Sequence, residues 1–388
     1  MKKIDGETFR LNKENAKLLI KTDDETNAKY KRGEIRIVTE QARYPIKSIK
    51  SMIESGDYKL NPEYQRRQRW DNVRKSRLIE SFIMNVPLPP IFLYEYEYSK
   101  YEVMDGLQRL STIYDFYSGS FTLEGLDYWQ ELNGKSYNQL PFEIQRGIDR
   151  RYISSIVLLA ETAKTPEEAE ELKQIVFERL NSGGEKLTGQ ETRNALYNGK
   201  FNKLCIKLSN NEKFKDMWDI PENEEELLQN DMYKKMQDVE LVLRFFAYRH
   251  LEKIKNYPIA YFLDEYLKQA NLFSDTTINE LENSFLDTLE TAYEIFGKSA
   301  FFLPDYGRKT CISSKTIYDS LMQSIYLNLD SRDLLIEHKD EIQKNRYIKE
   351  EDLIAENEKR LFDGKYGGWT HVGKRIEYFN KLFEPYIK

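Results

Sequence analysis

The period of the apolar residues changes along the chain, and the change falls near residue 200. Before it, short β-branched and aromatic runs alternate with helical patterns. After it no clear strand appears, and "DVELVLRFFAYRHL", "AYFLDEYLKQA" and "LENSFLDTLETAYEIFG" carry apolar residues at helical intervals. A sequence ordered in this way predicts an α+β chain, with strands and helices followed by an α-helical domain. The length of 388 residues leads to the same expectation of two packed domains. The expected division is an N-terminal arm over 1–40, a mixed domain over 41–200 and a helical domain over 201–388. No internal repeat or low-complexity linker marks the boundaries.

Within the mixed part, "PIKSIKSMIESGDYKL" places Ile46, Ile49 and Ile53 at helical spacing, with Gly56 as the stop. "DNVRKSRLIESFIMN" predicts a second helix, capped by Asp71 or Asn72 and broken by "VPLPP". "IFLYEYE" and "YEVMD" read as strands joined by a turn at Ser99 and Lys100. "FTLEG" is a weak strand candidate and "RYISSIVLLAET" a stronger one. Thr165 with Glu168, and Thr188 with Glu191, have the spacing of capping boxes.

Several function classes find little support. The net charge is −6, so nucleic-acid contact would need a local basic patch. Cys205 and Cys311 form no zinc or redox spacing, and reduced thiols are expected. His250, His338 and His371 have no neighbour at metal-ligand spacing, and His250 reads as a helix-end residue. The first residues lack the apolar core of a signal peptide, and no apolar run approaches a membrane span. A cytoplasmic protein without a membrane partner is the expectation.

Four polar stretches remain. From Tyr64 to Arg77 the chain holds six basic residues against one acid. Arg66, Arg67, Arg69, Arg74, Lys75 and Arg77 therefore form either a solvated surface or a phosphate-facing patch. In "YEVMDGLQRLSTIYDF", a strand gives way to a helix through Gly106. That junction offers helix-start N–H groups, with Arg109 one turn in. Asp105 there could hold a metal, position a water, or cap the helix. In "FERLNSGGEKL", glycines follow a helix end, and Arg179 and Asn181 either face a ligand or flank a C-cap. In "GGWTHVGKRI", Thr370, His371, Lys374 and Arg375 face either a cleft or solvent at a helix start, and the helix-start reading is the stronger.

The four stretches follow one another in the order of a known family. "NPEYQRRQRW", "LIESFIMNVPLPPIFLYE", "YEVMDGLQRLSTIYDF" and "VFERLNSGGEKLTGQETRNALYNG" together resemble the N-terminal domain of GmrSD-type restriction endonucleases. The likeness is close over about residues 40–200 and weaker through the helical remainder. It implies a ParB/sulfiredoxin-like fold and the binding, with possible hydrolysis, of a nucleoside triphosphate with Mg²⁺. The family's Y-Q-R falls on Tyr64, Gln65 and Arg66, and its D-G-Q-Q-R on Asp105, Gly106, Leu107, Gln108 and Arg109. On that basis Asp105 and Gln108 are the catalytic candidates, with Asp105 the metal ligand. Tyr64, Gln65, Arg66, Gly106, Arg109, Arg179 and Asn181 would meet the nucleotide. The resemblance further implies DNA, modified or phage-borne, reached directly or through a partner nuclease, and leaves room for a homo-oligomer.

Two departures stand out. Leu107 replaces a glutamine of the motif. The leading expectation is that Leu107 faces the ligand, because relatives place a polar group there; the other is that it packs against Val103 or Ile91. The three scattered histidines also fail to supply an HNH nuclease. A DNA-binding or adaptor module without catalysis, and a metal-dependent nickase, remain as alternative readings.

Overall fold

A computed structural model describes residues 4–11, 23–24, 27, 37–60, 70–159, 165–180, 187–304, 312–347, 354–355, 359–362 and 369–387. The chain forms two compact units. One comprises residues 17–187, and the other joins residues 1–16 to residues 188–388.

The first unit is built on a five-stranded mixed sheet ordered β1-β5-β3-β4-β2. Its strands are β1 (Thr39–Pro45), β2 (Tyr58–Lys59), β3 (Ile91–Glu97), β4 (Lys100–Asp105) and β5 (Tyr152–Leu158). β3 runs parallel to β5 and antiparallel to β4, so the sheet carries both pairings. The β3–β4 hairpin turns at Ser99, whose φ of 58° is the left-handed geometry such turns require. With β4 paired on either side, its end at Asp105 is fixed to the sheet frame.

The longer helices among the described residues of this unit are five. They are α1 (Ile49–Glu54), α2 (Asn72–Met84), α3 (Leu107–Tyr117), α4 (Phe142–Asp149) and α5 (Pro166–Leu180). Asp71 caps α2 by accepting from the Arg74 amide at 2.7 Å. Ile91, Leu93 and Val103 on one sheet face join Ile46, Ile49, Leu78, Ile79 and Ile113 of the helices in a single core. On α5, Lys173 donates to Glu102 at 2.7 Å and lies over the Tyr94 ring, 5.5 Å from its centroid.

Two differences from the sequence-based expectation concern strands. Residues 121–125 form no strand; Leu123 instead makes local backbone bonds with Lys135 and Gly134. Phe121 and Leu123 bury their side chains from an irregular loop, and a strand-like alternation results without a ladder. β1 has no such alternation because it is an edge strand, solvated along most of its length.

Among its described residues the second unit is mainly helical, with a short antiparallel pairing of Ile354–Ala355 with Lys359–Arg360 and an isolated bridge between Phe302 and Ser313. Its principal helices are α6 (Gly189–Leu196), α7 (Lys200–Ser209), α8 (Gln237–Tyr248), α9 (Ile259–Ala270), α10 (Asp275–Phe296), α11 (Lys315–Leu327), α12 (Lys339–Asn345) and α13 (Trp369–Phe383). Thr188 and Glu191 close a reciprocal capping box on α6. Phe245, Phe246, Phe285, Tyr318 and Leu321 lie in its core, and Phe9 of the N-terminal segment is buried in the same cluster.

Candidate functional site

The junction of β4 and α3 is assembled by a few contacts. Gly106 holds φ 95° and ψ 11°, a left-handed conformation that favours glycine. A Cβ there would stand 2.5 Å from Cγ2 of Ile91, so the position also needs the missing side chain for space. As the N-cap of α3, Gly106 offers no capping oxygen, and the helix opens without a side-chain cap.

Arg109 turns back from the first turn of α3. Its Nη2 donates to Asp105 Oδ2 at 2.7 Å, and its Nη1 donates to the carbonyl of Pro89. The Arg109 side chain is 11% exposed and that of Asp105 46%, so the pair presents its acid to solvent and hides its base. Burial pulls the Arg109 pKa below the usual arginine range, against the opposing pull of the Asp105 carboxylate. The guanidinium thus ties the proline-rich "VPLPP" connection to the turn.

Gln108 makes the other tie. Its Oε1 accepts from the backbone N–H of Trp70 at 3.1 Å. Trp70 closes the stretch "NPEYQRRQRW", and Arg66 stands four residues before it.

Leu107 corrects the leading expectation. It is 6% exposed and packs in the core cluster that contains Ile91 and Val103. Side chains at a helix start diverge by about 100° per residue. With Gln108 directed at Trp70, Leu107 turns inward.

The remaining candidates are spread more widely. Tyr64, Gln65, Arg66, Arg67, Arg69 and Asn181 lie outside the described residues. Arg74 and Arg77 are exposed on α2, and Arg77 Nε stands 3.7 Å from Asp127. Lys75 is largely buried; its Nζ meets Asp115 at 2.8 Å and lies over Phe121. Arg179 is exposed in the last turn of α5. Near the C-terminus Thr370 is exposed and His371 and Lys374 are half-buried. Arg375 is fully buried and donates to the Leu361 carbonyl at 2.6 Å, which removes it from both the cleft and the surface readings.

The roles of Pro89 and Trp70 in this site were not visible in the sequence. Both act through backbone atoms, which composition does not report. Pro89 read only as a helix breaker, and Trp70 as the end of an extended piece.

Among the described residues no group of three His, Cys, Asp or Glu side chains could hold a metal ion. Mg²⁺ bound with a nucleotide needs only one or two carboxylates, since phosphates and waters fill the other positions. Asp105, half-exposed at the end of β4, meets that lesser requirement. No helix among the described residues is long and apolar enough to cross a membrane.

Residues 46–198 match the family model described as GmrSD restriction endonuclease, N-terminal domain. No curated protein and no solved structure matches the chain. The matched segment begins at Ile46, at the start of the 3-10 turn Ile46–Ser48, and it includes the whole Asp105–Arg109 turn.

Proposed function

We infer from the GmrSD restriction endonuclease N-terminal domain at residues 46–198 that this chain is a module of a DNA restriction or anti-phage system, and that it binds a nucleoside triphosphate. One observation carries the nucleotide reading. Gln108 holds the backbone of Trp70 against a glycine turn whose helix opens without a capping side chain. Helix starts of this kind favour anions.

The residues divide the work. Gln108 holds the Trp70 backbone at the turn. Arg109 holds the Pro89 connection, and an incoming phosphate competes with Asp105 for its Nη2. Asp105 would be the protein ligand of Mg²⁺, which supplies charge neutralisation at the phosphates when bound. Leu107 contributes packing only.

The rival reading is a DNA-binding adaptor without nucleotide. Its basic patch is reduced by the fold, because Lys75 is paired with Asp115 and Arg77 stands beside Asp127. An acid at the turn also opposes a DNA phosphate. A thermal-shift screen of the four nucleoside triphosphates, with and without Mg²⁺, separates the two. Ligand at about 100 times its dissociation constant stabilises a fold by about 2.7 kcal/mol. A rise of that size with Mg²⁺ and one nucleotide, lost in Asp105→Asn, is expected. No shift with any nucleotide at millimolar concentration, together with steeply salt-dependent DNA binding, refutes the nucleotide reading.

A further inference from the structure

The helical unit contains a cavity of about 460 Å³ at the end of α10 and α12. Its walls include Phe296, Phe302 and Tyr347, and Gln343, Lys344 and Arg346 bring polar groups to it. Arg346 is only 6% exposed. Its guanidinium is stacked between two rings, 4.5 Å from the Phe296 centroid and 4.9 Å from that of Tyr347. Nη1 donates to the Ser299 carbonyl at 3.0 Å and Nη2 to the Ala300 carbonyl.

Every one of these partners is neutral. Nε finds no acceptor, and no carboxylate pairs with the guanidinium among the described residues. Arginines at this depth are ordinarily compensated by an acid, as Arg244 is by Asp319 within the same unit. Burial pulls the Arg346 pKa down, against the opposing pull of Tyr347 and Tyr378. Lys344, exposed on the rim, makes no ion pair among the described residues and adds a second cation.

We propose that this cavity is a binding site for a small aromatic anion, a planar ring bearing one carboxylate or phosphate. The ring would lie among Phe296, Phe302 and Tyr347, and the anion would face Arg346 and Lys344. Sites of a few hundred Å³ with apolar walls and a few convergent polar groups suit ligands of that size. None of the residues belongs to the β4–α3 turn, so the proposal stands apart from the nucleotide reading.

Isothermal titration of the full chain tests it with four probes: benzoate, phenyl phosphate, inorganic phosphate and benzyl alcohol. Either ring-bearing anion should bind at least tenfold more tightly than inorganic phosphate or benzyl alcohol. Since Arg346 also supports the fold, the variant is Lys344→Glu on the exposed rim. It should weaken the ring anion at least tenfold, while Lys339→Glu, outside the cavity lining, leaves it unchanged. Absence of binding by both ring anions, equal binding of inorganic phosphate, or unchanged affinity in Lys344→Glu overturns the proposal.

Discussion

Leu107 sits inside a polar motif and yet belongs to the core. Its neighbours Asp105, Gln108 and Arg109 are turned to polar partners, whereas Leu107 packs with Ile91 and Val103. Leu107→Gln would bury an amide among hydrocarbon. The expected cost is about 1–3 kcal/mol. Denaturant midpoints should show that loss, and phosphate-release assays should show no gain in turnover. A variant of wild-type stability with faster turnover would put the side chain back at the ligand. The outward expectation rested on the family resemblance alone. What it could not convey is that Gly106 draws the turn against Ile91 and so sets which way the next side chain points.

The connection between α3 and α4 depends on one carboxylate of α2. Glu80 is 2% exposed and accepts from the backbone amides of Asp127, Tyr128 and Trp129, the last two at 2.7 and 2.9 Å. Ser76, one turn earlier, accepts from the Glu124 amide at 2.9 Å. A buried helix face thus uses polar groups to hold a loop that has no ladder of its own. Hydrogen bonds to a charged acceptor contribute about 1.5–3 kcal/mol each, so Glu80→Ala should cost about 3 kcal/mol or more. Hydrogen exchange at Asp127, Tyr128 and Trp129 should accelerate, and amides in β5 should follow only the global loss. Unchanged exchange at those three amides would show that the loop holds itself. The sequence placed α2 and left its cap between Asp71 and Asn72, of which the fold uses Asp71; Glu80 passed unnoticed because its partners are backbone groups nearly fifty residues away.

Across the helical unit, the N-terminal segment is held by a buried carboxylate. Glu7 is 3% exposed and meets Arg249 at 3.0 Å, His250 at 2.9 Å and Tyr266 at 2.7 Å. Burial alone would raise its pKa. The hydrogen bond with His250 and the charge of Arg249 outweigh it and leave Glu7 below its ordinary value of 4.5. A depressed acid contributes stability that is present above the unfolded-state pKa and is lost as pH falls through the folded one. Acidification below about 4.5 should therefore loosen residues 4–11, read as faster proteolysis there and faster exchange of the Arg10 amide that binds Gln269. Glu7→Gln should flatten that acid limb. At neutral pH it should cost about 3–5 kcal/mol, because Arg249 loses its carboxylate. An acid limb unchanged in Glu7→Gln would assign it to other carboxylates. Histidine scarcity in the sequence had already argued against a metal role for His250, and its place after α8 agrees with a helix-end residue.

The sequence by itself determined the α+β class, the helical second half, the hairpin of β3 and β4 and the cap at Thr188. Each of these follows from interactions within a few residues, where side-chain spacing and backbone preference act directly. Tertiary structure alone decided that Leu107 points inward, that Lys75 and Arg375 are withdrawn from solvent, and that Gln108 reaches Trp70. It also decided that Arg346 is buried without an acid among the described residues. Those outcomes depend on what stands across the fold from each residue, and a chain written in one dimension does not say which neighbours its folding will bring together.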